Sequence, residues 1–416
     1  MKVILKIFTV SILIASCQSN PESSYFEQSV IDKEAKSRLD SALMSFVSDS
    51  LVVGVSALVY ENGEEVYFNA VGYADLENKV PMARNTIVTI YSMTKPISGV
   101  TLMTLHEKGK FALNDPLAKY APEFANMQVL TGWTDAGEKI LEPAERDITI
   151  ADITRHTAGF SRRGDLKLDS IVGQANLLDL QTTLTDMAGK LSQIPLGYQP
   201  GRRWEYGISV DVQAYLVEKL AGRPFDEYMR EVVLDPLGMD ETGYFVPEEK
   251  RDRVAAIYRK EGNKLNRVSE EVHAINYNHV PMKPGGYGLK STIDDYMKFA
   301  QMLVNKGTYN GKTILQPETV ELMATNQLPA VEDSLWLPGK GRVGFGIDFA
   351  VRTEPALTKD ENFGTVGEFF WDGAASTLFW VDPEKELTAV LFVQIMPFQG
   401  IVHKKFRDAV YGGIGD

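Results

Sequence analysis

"TIVTIYSMTKPISGVTLMTLHEKGKFALNDP", residues 86–116, decides how the rest of the chain is read. It begins β-branched, passes Ser92 and Lys95, and turns helical. Beyond Pro96 its apolar residues fall on more than one face, the pattern of a helix packed deep inside a protein. Pro96 lies in the first turn, where proline is tolerated. Gly109 lies near the end, where helices commonly stop. Lysine is costly to bury unless it is paired or chemically employed, so Lys95 at the head of such a helix needs a reason. Residues three apart on a helix share a face, which puts Ser92 within reach of the Lys95 side chain. A serine hydroxyl is a weak nucleophile until a base takes its proton, and a desolvated lysine can be that base.

Before this stretch, "DKEAKSRLDSALMSFVSDS" (32–50) carries Leu39, Leu43 and Phe46 at helical spacing. Two β-rich runs follow over 52–75, joined by Glu61-Asn62-Gly63, and Asn-Gly is a strong hairpin signal. After it, helical patterns recur at about 148–157, 176–192, 207–221 and 225–235, and strands are sparse up to residue 280. "GYGLKSTIDDYMKFAQMLVNKG" (286–307) reads as a loop and then a helix capped at Ser291 or Thr292, with Asp294 and Asp295 in its first turn. "RVGFGIDFAVR", "FGTVGEFFWDGAASTLFWVD" and "LTAVLFVQI" are aromatic and β-branched strands, with a turn at Asp382-Pro383-Glu384. "VHKKFRDAVYG" closes the chain as a helix. Strands at both ends and helices between them predict a mixed α/β (α+β) fold. One antiparallel sheet is built from both termini over 35–91 and 283–416, and a mainly helical domain over 92–282 is inserted into it.

The formal net charge of the 416-residue chain is −13. Such a chain repels phosphates, which argues against nucleic acid as a partner. The N-terminus "MKVILKIFTVSILIASC" has Lys2 and Lys6, an apolar run too short to span a bilayer, and then small residues. Ile14-Ala15-Ser16-Cys17 looks like a bacterial lipobox, whose cysteine is lipidated after the signal peptide 1–17 is removed. Residues 18–34 then read as a flexible tether. The expectation is an exported lipoprotein on the periplasmic side of the outer membrane, anchored to the bilayer by its lipid. Cys17 is the only cysteine, so disulfides, zinc–thiolate sites and a cysteine nucleophile are excluded from the mature body.

The chain has no G-x-S-x-G elbow, no H-E-x-x-H and no phosphate-binding P-loop, and its five histidines are scattered. Two elements besides Ser92 and Lys95 carry possible chemistry. "WEYGIS" (204–209) sets Tyr206 just before an amphipathic helix, and a tyrosine whose charged form is stabilised by a cation can act as a general base. "FFWDGAAST" (369–377) is an extended strand in which Gly373 allows close backbone approach. The N–H of Ala374, with that of Ser92, can then face an oxyanion. His156 in "RHTAGF" and the glycines of "GGYGLKST" read as structural turns.

In this order the three elements resemble the serine β-lactamase and penicillin-binding-protein superfamily, closest to its class C-like branch and the carboxylesterases related to it. The resemblance runs from about residue 35 to 412. "YSMTKP" matches the Ser-x-x-Lys motif at Ser92 and Lys95, "WEYGIS" the Tyr-x-Asn position at Tyr206, and "WDG" the third motif at 371–373. "GYADLENKVPM", "ALNDPLAKYAPEF", "ITRHTAGF" and "GGYGLKSTIDDYMKFAQML" are similar to the family as well. Two departures stand out. Ile208 replaces the asparagine, and Trp371 replaces the lysine or histidine of the third motif. Losing an amide and a cation weakens recognition of β-lactams and of D-Ala-D-Ala peptides, whereas tryptophan offers apolar surface to an acyl or alcohol group.

The resemblance therefore implies a serine hydrolase acting on a small-molecule ester or amide, with Ser92 as nucleophile, Lys95 and Tyr206 as general base, and no metal or organic cofactor. Ala374, Gly373, Trp371 and Ile208 would line the oxyanion and substrate sites. The rival readings are a β-lactamase or D-alanyl-D-alanine carboxypeptidase, and a non-catalytic penicillin sensor. Asp372 would repel a carboxylate if it faced the pocket.

Overall fold

The computed structural model describes residues 29–160, 164–328 and 341–413. Cys17 and the signal stretch lie outside the described residues. The described part of the stretch read as a tether already contacts the folded body: the N–H of Val30 donates to Glu61 at 2.6 Å, and Ile31 is buried.

Helix α1 (Lys33–Ser48) is capped by Asp32, whose side chain accepts from the N–H of Ala35. It buries Leu39, Leu43 and Phe46, the face expected from their spacing. Strands β1 (Gly54–Glu61) and β2 (Glu64–Asp75) form the hairpin, with Asn62 and Gly63 both in the left-handed region that its turn requires. A short β3 (Val80–Pro81) borders β2. The remaining sheet strands come from the far end of the chain: β4 (Val343–Phe345), β5 (Ala350–Arg352), β6 (Phe369–Asp372), β7 (Leu378–Asp382) and β8 (Leu387–Val393). The eight strands run antiparallel in the order β4-β5-β6-β7-β8-β1-β2-β3, so β8 pairs directly with β1. The expected mixed α/β sheet from both ends of the chain is present.

Every residue of β7 and β8 is buried, because helices cover both faces. On one face Trp380 meets Phe406 of α5 (Gly400–Tyr411), which packs against α1. On the other face Phe379 meets Tyr296 and Phe299 of α4 (Ile293–Val304). Thr292 caps α4 by accepting from the N–H of Asp295.

Between β3 and α4 lie α2 (Thr94–Glu107), buried over twelve consecutive residues from Thr94 to Leu105, and α3 (Ser209–Ala221), which packs on it. Differences from expectation appear here, among them a helix at Leu166–Ala175 that the pattern did not mark. The helix predicted from about 176 starts at Leu184, because Thr183 and Asp186 form a capping box and 176–183 is turn. The region also holds hairpins at 128–143 and 258–267, and the second continues in parallel onto Ile395–Met396.

Candidate active site

Ser92 sits in a single 3-10 turn, Tyr91–Met93, fused to the start of α2. A two-residue ladder, Val88–Thr89 against Lys290–Ser291, fixes the chain just before the turn, and the Ile90 N–H donates to the Leu289 carbonyl. The Tyr296 hydroxyl donates to the Met93 carbonyl at 2.8 Å, fixing it just after. Tyr91 has φ +44°, a left-handed conformation unusual for a bulky residue. The surrounding packing thus holds a strained turn at the point where Ser92 is presented.

Lys95 is buried. Its Nζ donates to Ser92 Oγ at 3.2 Å and to the Gly286 carbonyl at 2.6 Å, and it lies 4.6 Å from the centre of the Tyr206 ring. Tyr206, remote in sequence from Ser92 and Lys95, is therefore brought to the same place. Tyr206 belongs to an aromatic wall. Its ring centre is 4.8 Å from that of His156 and 5.3 Å from that of Trp371, and Trp204 stacks on it at 6.1 Å. Phe345 closes the group edge-on to Trp371 at 5.3 Å. His156 is fully enclosed, and burial, with the nearby Lys95 charge, holds its imidazole well below the usual histidine range. Its Nδ1 faces the Gly207 N–H at 3.4 Å. It is a neutral packing partner of Tyr206, in line with its reading as a structural residue.

Among the described residues, β5 pairs with β6 only at Phe369 and Phe370, and its ladder stops short of Trp371. Gly373 lies against the Ser92 turn: a Cβ on it would stand 2.6 Å from the Ile90 carbonyl oxygen and 2.3 Å from Thr377 Oγ1. The N–H of the exposed Ala374 is given to no acceptor among the described residues. Alternation along β6 sends Trp371 to the wall and Asp372 to the opposite face. There the Asp372 carboxylate stands 4.0 Å from His403 Nδ1 of α5, away from Tyr206. Ile208 forms the N-cap of α3 and offers no side-chain cap.

The sequence reading missed two buried acids behind Lys95. Asp211, in the first turn of α3, accepts the Gly286 N–H at 3.0 Å. Asp348, at φ +58°, accepts from Gln213 Nε2 at 3.1 Å. The signal for Asp211 was present as an acid inside the apolar pattern "SVDVQAYLV". Asp348 sits in a loop and gave none.

The sequence matches the model of the Beta-lactamase family over residues 39–411. It is 32% identical over 354 residues to an uncharacterized protein of Mycobacterium tuberculosis (strain CDC 1551 / Oshkosh), covering 83% of this chain and 87% of that one. It is 26% identical over 396 residues to the esterase EstB of Burkholderia gladioli, covering 90% of this chain and 94% of that one. The solved structure of Simvastatin Synthase (LovD) from Aspergillus terreus shares the fold with a TM-score of 0.78 at 22% identity, over 92% of this chain and 99% of that one. With a sheet, a buried helix and a lysine-braced serine turn arranged as described, and a family match spanning nearly the whole folded body, the chain belongs to the beta-lactamase family and is a serine hydrolase of that fold.

Proposed function

We propose that the protein cleaves small carboxylic esters through an acyl-enzyme on Ser92. The observation that carries this reading is the 3.2 Å contact of Lys95 Nζ with Ser92 Oγ beneath an aromatic wall that contains Trp371. Ser92 Oγ attacks the ester carbonyl carbon, and its proton passes to the Lys95–Tyr206 pair. The N–H groups of Ser92 and Ala374 face the oxyanion that forms. The carbonyl–alkoxy bond then breaks and the alcohol leaves with the proton from the pair. Water attacks the acyl-enzyme, the same pair takes its proton, and the acid departs as Ser92 regains a hydrogen.

Ester is favoured over β-lactam by Trp371. It is buried among Tyr206 and Phe345 and puts an apolar ring where penicillin-recognising relatives hold a carboxylate with a cation. The name of the Burkholderia relative, an esterase, supports the same choice. The N-terminal stretch supports a location as well: lipidation at Cys17 would tether the enzyme to the periplasmic side of the outer membrane.

The test is a pair of hydrolysis assays on the mature chain, one with a short-chain p-nitrophenyl ester and one with a chromogenic cephalosporin. The expected result is ester turnover well above cephalosporin turnover. Ser92→Ala should lower it at least about a thousandfold without moving the unfolding midpoint. Cephalosporin turnover that dominates, or ester turnover that survives Ser92→Ala, overturns the reading.

A further inference from the structure

Gly286 is held at both of its backbone ends. Its N–H donates to Asp211 Oδ1 at 3.0 Å, and its carbonyl accepts from Lys95 Nζ at 2.6 Å. A Cβ at this position would lie 3.0 Å from Asp211 Oδ2 and 3.3 Å from Lys95 Nζ. The carboxylate and the ammonium therefore face each other across the bare Cα of one glycine. The preceding residue is clamped too: the Gly285 carbonyl accepts from Ser98 Oγ at 2.7 Å, and a Cβ on Gly285 would meet the Val210 carbonyl oxygen at 2.3 Å. The backbone of α3 thus excludes a side chain at Gly285, and at Gly286 an added methyl would press on both charged groups.

The charges around Lys95 divide clearly. Burial drives the Asp348 carboxyl well above the usual range, with Gln213 and Lys95 pulling weakly the other way. Burial thus pushes Asp348 toward its neutral form, and its Oδ2 lies close against Gly99 of α2. Burial also raises Asp211, to about 6, against the pull of Lys95 and the backbone N–H groups of Gly285 and Gly286. Tyr244 and Tyr287 face Asp211 and are kept neutral by burial, Tyr287 at about 12. His156 is neutral and Tyr206 presents its ring face to Lys95. Asp211, at about 6, keeps its negative charge at pH 7.

We propose that Asp211 is a positioning residue for Lys95: through Gly286 and across it, the carboxylate holds the ammonium beside Ser92 and balances its charge through the proton transfers of acylation and deacylation. This rests on the acyl-enzyme reading above. It differs from a purely structural role because Asp211 acts by its charge as well as by its hydrogen bond.

Asp211→Asn keeps the shape and an oxygen for the Gly286 N–H but removes the charge. Its p-nitrophenyl ester kinetics, measured from pH 5 to 9 per titrated active site, should show kcat lowered on the order of a hundredfold. KM should stay within about twofold, and the acid limb near pH 6 should be lost. Gly286→Ala wedges a methyl group between the two charges and should lower kcat in the same way. Asp211→Asn with the parent's kcat per active site and the parent's acid limb overturns the proposal, whatever its unfolding midpoint. Parent turnover that survives Ser92→Ala overturns the acyl-enzyme reading itself, so the two failures are distinguishable.

Discussion

Lys95 and Lys290 are both buried, and their neighbours differ in kind. Lys95 has carboxyl groups behind it and an open serine in front. Lys290 donates to Thr89 Oγ1 at 2.5 Å and stands 3.1 Å from His273 Nδ1, with no carboxylate in direct contact among the described residues. Burial lowers His273 to about 3, so its ring is neutral and Nδ1 can accept. Burial also lowers Lys290 to about 7 from an ordinary 10.5, with Glu270 opposing weakly. Between those two values the unfolded chain binds more protons than the folded one, so this lysine makes stability rise with pH across that window. The penalty is fully present below pH 7 and relieved as pH approaches 10.5. Lys290→Met, similar in length and uncharged, removes the dependence. The stability of the parent relative to Lys290→Met should therefore climb by roughly 2 kcal/mol from pH 7 to pH 9, as read from urea unfolding of both proteins at each pH. A difference that stays flat over that range would show that Lys290 is not held neutral.

At the scale of elements, the site depends on how the end of β6 docks on the turn ahead of α2. Gly373 is the contact point. Thr377 Oγ1 can rotate away from an added methyl, but the Ile90 carbonyl is backbone and cannot. Gly373→Ala must therefore push the strand end off the Ser92 turn and carry the Ala374 N–H with it. The expected result is a folded protein whose kcat for a p-nitrophenyl ester falls at least about tenfold while KM changes little; an unchanged kcat would remove Ala374 from the proposed oxyanion site. The sequence made much of this frame legible. Asn62-Gly63 marks the first hairpin, Thr292 the start of α4, and the apolar run of α2 its depth. It was silent where local pattern carries no information. The strand Lys139–Pro143 is exposed at every residue, so no alternation marks it. The register that ends the β5 ladder at Phe370 depends on strands remote in the chain. Asp372 illustrates the limit: alternation predicts that it opposes Trp371, but only the packing of α5 identifies which face is which.

At the scale of the molecule, the early and late parts of the folded body are joined, β1 to β8 and α1 to α5. Elsewhere in the sheet lies a buried ionic group. Glu368 Oε1 accepts from Arg352 Nε at 2.9 Å and from Arg407 Nη1 at 2.8 Å, and all three side chains are essentially inaccessible. The Arg407 guanidinium also lies 4.5 Å from the Trp380 ring centre and 4.7 Å from that of Phe370. One carboxylate thus links β5, the strand next to it and α5. Nothing in "FAVRT" or "KKFRDAV" distinguishes these arginines from surface ones, since burial of a charge is fixed only by its distant partner. A buried ion pair is weak evidence of net stabilisation, but removing one partner strands the others. Glu368→Gln keeps the shape and leaves two guanidinium groups without a counter-charge. It should cost about 3–5 kcal/mol in urea unfolding at pH 7. Replacing all three together, Arg352→Met, Glu368→Leu and Arg407→Met, removes the stranded charges along with the carboxylate and should recover most of that loss. If the single variant is as stable as the parent, the triad is not held as a charged group. If the triple variant is no better than the single one, the geometry of the three side chains, and not their charge balance, holds these elements together.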